Sequence, residues 1–270
     1  MEVSWFCATW GMPGKTLAEN LELAKEAGFH GVETGVPADG RQRRELRAGL
    51  DHLGLFLIAQ QWTTGPDGAA HAASFEEQYR RGAELAPLFV NSHTGRDVFP
   101  LAQNMVVFEK AAKLEQDLGV AVLHETHRGR PTFSAPSTMA LLDAAPFIAL
   151  TADFSHWCCV HESLLEDLGP SVERAIQASW HVHARVGHAQ APQVPDPRAP
   201  RWKAALDAHL AWWQRIIDVR RAGGAGRVTI CPEFGPPDYA VTLPETGRPI
   251  ADVWEINRAM RGILENRLQF

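Results

Sequence analysis

Residues 121–130 read AVLHETHRGR. Val120, Ala121, Val122 and Leu123 make an apolar run of the kind a buried parallel strand needs, and the run ends on Glu125 between His124 and His127. A strand buried on both faces carries a carboxylate only where a cation or another partner compensates it. The signature recurs three times. Phe147-Ile148-Ala149-Leu150 leads into Asp153 and His156, Trp180 leads into His181-Val182-His183, and Val228-Thr229-Ile230-Cys231 leads into Glu233.

Outward from this stretch, short apolar runs alternate with longer amphipathic ones. The pattern predicts strands over 3–9, 29–34, 55–62, 87–93, 121–125, 147–153, 179–185 and 227–233. Between them it predicts helices from Thr16 to Ala27 and over 41–53, 74–85, 100–118, 137–144, 171–178, 202–221 and 251–268. Thr16 and Glu19 form a capping-box pair, Leu17, Leu21, Ala24 and Ala27 recur at helical spacing, and Gly28 stops the helix. Eight strands and about eight helices in alternation fit an α/β fold of the (β/α)8 TIM barrel type better than an open doubly wound sheet. No linker, low-complexity segment or repeat interrupts the rhythm, so residues 1–270 read as a single barrel domain.

The composition, 45% hydrophobic and 21% charged, is that of an ordinary globular chain. A formal charge of −6 counts against a nucleic-acid-binding surface, which needs clustered Lys and Arg. No apolar run approaches the ~20 residues of a membrane span. The first residues, MEVSWFCATWG, lack the basic and apolar regions of a signal peptide. The 4 cysteines are too few and too irregular for a disulfide framework, so a reduced, cytoplasmic setting is expected.

A barrel gives the polar residues their meaning, because its catalytic groups come from the C-terminal ends of several strands. Glu125, Asp153, His183 and Glu233 all lie at such ends. Three carboxylates and one imidazole suit one divalent ion: Mn²⁺ first, with Co²⁺, Mg²⁺ or Zn²⁺ as alternatives, the carboxylate excess leaning toward the harder ions. Seven of the 12 histidines fall between His124 and His188. His124 has the opposite parity to Glu125 and should face the helices. His127 and Arg128 are placed to touch substrate, His156 to orient a ligand or substrate, and His93 closes the fourth strand. His181 and Arg185 share a side of their strand with His183, and His181 is assigned to substrate. Trp10, Trp62 and Trp157 follow strands on the same rim and could stack on sugar C–H faces. Trp180, Trp202, Trp212, Trp213 and Trp254 are expected to pack helices, and Cys158 and Cys159 to be small buried hydrophobes.

These residues resemble the xylose-isomerase-like TIM barrels, a family that includes ketose 3-epimerases, inositol-pathway isomerases and dehydratases, and abasic-site endonucleases. LAENLELAKEAGFHGVET is similar to the family's first helix–strand unit. LTADFSHW resembles its D-x-x-H element, which implies Asp153 as a ligand and His156 as a substrate or metal contact. WHVHAR resembles its H-x-H-x-K element, which implies His183 as a ligand, with Arg185 where a lysine is common. Glu125 and Glu233 match the two glutamates that complete the site and, in the epimerases, exchange the substrate proton. Asp196-Pro197-Arg198 stands where the endonuclease branch has D-x-H, and the third strand ends Gln60-Gln61-Trp62 without a histidine, which counts against a multi-metal phosphodiesterase.

The resemblance implies a metal-dependent isomerase or epimerase acting on a sugar, sugar acid or cyclitol through an enediolate. Glu125 and Glu233 would be acid and base, with His156 and Arg185 catalytic beside them. A dehydratase or lyase would share that enediolate, and an abasic-site endonuclease-like phosphodiesterase is the hydrolytic alternative. The partner is a small carbohydrate-like molecule, with no nucleic acid and no membrane; a homo-oligomer is compatible with the sequence. Arg128, Arg130, Arg198 and Arg201 are candidates for a substrate carboxylate or phosphate.

Overall fold

Eight parallel strands pair in chain order and close on themselves: β1 (Glu2–Ala8), β2 (Gly31–Gly35), β3 (Phe56–Trp62), β4 (Val90–His93), β5 (Val122–Glu125), β6 (Ala149–Ala152), β7 (Ser179–His183) and β8 (Arg227–Cys231). This is a computed structural model, and it describes residues 1–12 and 15–270. Around the barrel run α1 (Leu17–Glu26), α2 (Gly40–Leu53), α3 (Gly68–Ala83), α4 (Leu101–Leu118), α5 (Ala135–Ala144), α6 (Phe154–Val160), α7 (Gly169–Ala178), α8 (Lys203–Ala222) and α9 (Val253–Arg267). Among the described residues no helix is long and apolar enough to cross a membrane.

The helices start where side chains can satisfy free backbone N–H groups. Thr16 and Glu19 make the predicted capping box of α1. Asp67 caps α3 through the Ala70 N–H, so that helix begins six residues before the predicted Ser74. Asp153 caps α6 through the Ser155 N–H, turning the expected strand extension into a short helix that the sequence pattern did not show.

Alternation along each strand sorts the side chains. Val182, Val228 and Ile230 face the helices in the main core, whereas Phe6, Ile58, Phe89, Leu123 and Cys231 fill the lower half of the barrel. Gly31 is required beside that plug, since a Cβ there would stand 2.4 Å from both the Phe6 ring and the Phe56 carbonyl oxygen. Further along the inward faces, two residues beyond Gly31, Phe89 and Leu123 along β2, β4 and β5, come Glu33, Asn91 and Glu125, and with Thr151, His181 and His183 they are polar, buried and turned inward. Trp180 departs from expectation: it is 49% exposed, and the Arg220 guanidinium lies 4.1 Å above its ring.

His124 faces outward as its parity predicts, with Nδ1 2.7 Å from the Thr94 hydroxyl and its ring 4.6 Å from Phe108. Burial lowers its pKa to about 3. His209, buried under α8 with Nδ1 donating to the Ala205 carbonyl at 2.8 Å, is lowered to about 4, again chiefly by burial. Both rings are neutral when folded and gain protons near their ordinary pKa of 6.5 when unfolded, so stability is full above pH 6.5 and falls as the pH drops toward 4. At pH 5 each contributes a loss on the order of 2 kcal/mol. Urea unfolding at pH 7 and pH 5 with chelator present should show this loss, and His124→Asn should flatten part of the slope.

Candidate active site

The upper half of the barrel is built around His183. Its Nε2 lies 3.0 and 3.1 Å from the two oxygens of Glu33, and because a carboxylate only accepts, Nε2 carries the proton. Burial opposes a charge on this ring, but Glu233, Glu33 and Glu125 outweigh it and raise its pKa well above the usual imidazole range, so without an ion Nδ1 is protonated too. It points to Glu233 Oε2 at 2.8 Å and Glu125 Oε2 at 3.5 Å. Neither His183 Nδ1 nor Glu233 Oε2 has a hydrogen-bond partner. A proton on Nδ1 makes this an ion pair of poor hydrogen-bond geometry, and a divalent ion would displace that proton and take both atoms as neighbouring ligands. Ligand atoms of Glu125, Asp153, His183 and Glu233 all lie within 4.8 Å of one another.

Glu33 accepts from His181 Nε2 at 3.2 Å as well, and Asn91 Nδ2 donates to Glu33 at 2.7 Å and to Glu125 at 3.1 Å. Arg185 reaches over the top. Its Nη2 pairs with the Asp153 carboxylate, donates to His156 Nε2 at 2.9 Å and lies 3.5 Å from Glu233. The Ser155 hydroxyl and N–H both donate to Asp153 Oδ1, so Asp153 is the most committed of the candidate ligands.

These contacts set the charges. Burial pushes Asp153 up to about 6 against the pull of Arg185. For Glu125 and Glu33 burial is again the largest influence, but the neighbouring imidazoles outweigh it and hold both well below the usual carboxylate range. Burial, then adjacent cationic groups, keep His127 and His156 far below the usual imidazole range, so both are neutral at pH 7. Their ring centroids lie 3.9 Å apart with the planes tilted by 49°, and the His93 ring lies 4.5 Å from that of His127.

A cavity of about 230 Å³ opens onto this cluster. Glu125, Glu233 and Arg185 form its floor, Trp10, Trp62 and Tyr239 its aromatic walls, and His93, His127, Gln60 and Arg130 the rest. Gly235 makes the wall possible, since a Cβ there would fall 2.0 Å from the Trp10 ring. A larger hollow of about 530 Å³ at the opposite mouth, beside Phe89, Leu123 and Trp180, lacks such a cluster.

Most residues singled out from the sequence meet here. Glu125, Asp153, His183 and Glu233 converge, and His156 and Arg185 touch them. His93, His127, Trp10 and Trp62 line the cavity. Arg128 is exposed and lies 4.9 Å over the Tyr239 ring, outside the lining. Two assignments are corrected. Trp157 is fully buried, packs on Phe154 and donates its Nε1–H to the Thr132 carbonyl, because α6 turns it away from the rim. His181 shares the inward side of β7 but lies a layer lower, sealed between Glu33, Thr229 and the Phe89 ring, out of reach of a substrate.

Comparison with known proteins agrees with this architecture. The model of the family described as xylose isomerase-like TIM barrel matches residues 21–212. No curated protein matches the chain by sequence. Among solved structures, the 3-keto-D-glucoside 4-epimerase YcjR of E. coli is 14% identical with a TM-score of 0.63, over 98% of this chain and 100% of that one. The probable 3-DHS dehydratase AsbF of Bacillus anthracis is 16% identical, with a TM-score of 0.63 over 98% and 99%. Endonuclease IV of Thermus thermophilus is 16% identical, with a TM-score of 0.61 over 97% and 99%. At such identities the likeness is one of fold.

Glu33 is the site residue that the sequence reading passed over. It ends an apolar strand, as Glu125 does, and the same rule would have found it. Asn91 and Tyr239 carry no such signal. Removing the Glu33 carboxylate leaves the N–H groups of two fully buried imidazoles unpaired. Glu33→Ala should therefore destabilise the fold by about 3–5 kcal/mol, read from urea unfolding at pH 7; a loss below about 1 kcal/mol would contradict the arrangement.

Proposed function

The chain belongs to the xylose isomerase-like TIM barrel family, and on that footing we propose that it is a divalent-metal-dependent isomerase or epimerase of a sugar, sugar acid or cyclitol. The observation that carries the reading is the convergence of Glu125, Asp153, His183 and Glu233 within 4.8 Å, with His183 Nδ1 and Glu233 Oε2 2.8 Å apart and neither in a hydrogen bond. Glu125, Asp153, His183 and Glu233 would hold the ion, and Glu33 would orient His183 from behind, as carboxylates do for metal-bound imidazoles. Mn²⁺, Co²⁺, Mg²⁺ and Zn²⁺ all accept such a donor set. When bound, the ion supplies Lewis acidity that polarises a substrate carbonyl and makes the adjacent C–H acidic.

Everything else falls to side chains. Glu125 and Glu233 come from strands three places apart around the barrel and both open onto the cavity. One removes the proton from the carbon beside the carbonyl, and the other returns a proton to its opposite face or to the neighbouring carbon. Arg185 places a permanent positive charge beside both the floor and His156, where an enediolate oxygen would develop negative charge. Neutral His156, whose Nε2 accepts from Arg185, has an unpartnered Nδ1–H to donate. Trp10, Trp62 and Tyr239 offer flat apolar walls to sugar C–H faces.

Elimination from the same enediolate, as in a dehydratase, would use the same groups with a different leaving group. One observation favours a hydrolytic alternative: His93, Glu125 and His127 also place ligand atoms within 4.8 Å, sharing Glu125 with the first set. That set has a single carboxylate, and the ring nitrogens of His127 already face the Arg128 carbonyl and the Tyr239 hydroxyl.

The Mn²⁺-loaded protein should bind one ion per chain and exchange a carbon-bound hydrogen of a ketose or inosose for solvent deuterium, observed by NMR. Chelator should abolish the exchange, and Glu233→Gln should slow it by about 10²–10⁴-fold. No exchange across such a panel would sink the reading, and two ions per chain with phosphodiester cleavage would replace it with hydrolysis.

A further inference from the structure

We infer that the substrate carries a carboxylate group and that Arg130 is the residue that recognises it. The inference rests on the proposed metal-dependent carbohydrate chemistry and narrows its substrate class. Arg130 follows Glu125 by five residues and lines the same cavity. Its Nη1 donates to the main-chain carbonyls of Gly95 at 2.8 Å and Thr63 at 3.2 Å, which fixes the guanidinium against two loops at the rim. Nε and Nη2 have no partner, and among the described residues no carboxylate pairs with this head. Asp97, its acidic neighbour, is turned toward Arg96.

The other arginines are accounted for. Arg185 is held by Asp153 and Glu233. Arg198 closes on Asp196 and Glu255, and Arg201 lies over the Trp202 ring. Arg128 is exposed above Tyr239. Of the arginines offered by the sequence for anion recognition, Arg130 alone faces the cavity with an unused edge.

Charge balance gives the same answer. The floor holds three carboxylates, Glu125, Asp153 and Glu233. A divalent ion and Arg185 supply three positive charges against them, and Glu33 is answered separately by the imidazole N–H groups below. Arg130 is then one cation in excess, in a half-buried setting where an unpaired charge is costly. Burial first, and Arg96 next, hold its pKa below the usual arginine range, the direction that a bound anion would reverse.

The free edge also selects the kind of anion. Nε–H and Nη2–H present two parallel donors that match the two oxygens of a carboxylate side-on. A phosphate dianion would call for a second cation, and the nearest one, Arg96, is turned to Asp97 and lies outside the cavity lining. The substrate class is therefore a polyhydroxy or cyclitol acid, its carbonyl end over the carboxylate floor and its acid end on Arg130.

The test uses the full-length protein and matched probes. The Mn²⁺-loaded chain, and separately the metal-free chain, are titrated calorimetrically with D-fructuronate against D-fructose, D-glucuronate against D-glucose, and shikimate against its methyl ester, with D-fructose 6-phosphate as the phosphate arm. In at least one pair the acid should bind about 10- to 100-fold more tightly than its neutral partner. Arg130→Gln should erase that preference while leaving Mn²⁺ affinity, read by electron paramagnetic resonance, within about twofold of wild type; Arg130→Lys, which keeps the charge, should retain part of the preference and guards against a folding defect. Equal binding of acid and neutral partner in every pair overturns the inference. So does an acid preference that survives Arg130→Gln, or a phosphate preferred over every acid and lost in that variant. Failure of the wild type to bind Mn²⁺ would instead strike at the metal reading, and the metal-free titrations would still judge Arg130.

Discussion

A hydrogen bond from His183 Nε2 to Glu33 governs the mouth of this barrel. It fixes one ring proton on the lower nitrogen and turns the upper nitrogen toward Glu233 and Glu125. Without an ion the upper nitrogen is protonated as well and pairs with those carboxylates, and a metal ion would displace that proton. Glu33 can do this only because its own burial is answered by His181 and Asn91, and Asn91 passes the connection on to Glu125. The orientation of one imidazole therefore depends on groups contributed by β2, β4 and β7, which only a closed barrel brings together.

The division of the interior into two halves follows from the same requirement. Below, Phe6, Ile58, Phe89, Leu123 and Cys231 fill the barrel and exclude water from beneath the polar layer. A dry floor strengthens every electrostatic contact above it. It also makes each unpaired acceptor expensive, so the upper half is stable only when its charges are matched.

Much of this was legible in the chain. Each apolar run that ends on a carboxylate or imidazole is a strand whose last residues reach the mouth, and that rule located Glu125, Asp153, His183 and Glu233. Period-two parity correctly turned His124 toward the helices. Parity says nothing about height along the barrel axis, however, and for that reason it points His181 at a substrate although the ring lies a layer too deep. Trp157 escapes the same reasoning because Asp153 starts a helix, and three residues of helix rotate a side chain away from where a loop would leave it. Tyr239 reaches the cavity from a loop of irregular backbone, where no periodicity exists to read.

Asp153 and Arg185 show how far the electrostatics can be taken. Their ion pair looks at first like a competitor for the ion, since it occupies one carboxylate oxygen while Ser155 occupies the other. Yet without Arg185 three carboxylates would face a dication and leave a net negative floor, which would repel the enediolate that forms above it. With Arg185 in place the floor is neutral when an ion is bound, and without one the protonated His183 offsets part of the negative charge. A proton and a metal ion would thus compete for the same nitrogen, among groups that folding has already brought together. A site built in this way couples the stability of the barrel mouth to its metal, and it leaves the remaining positive charge in the cavity free to act on the substrate alone.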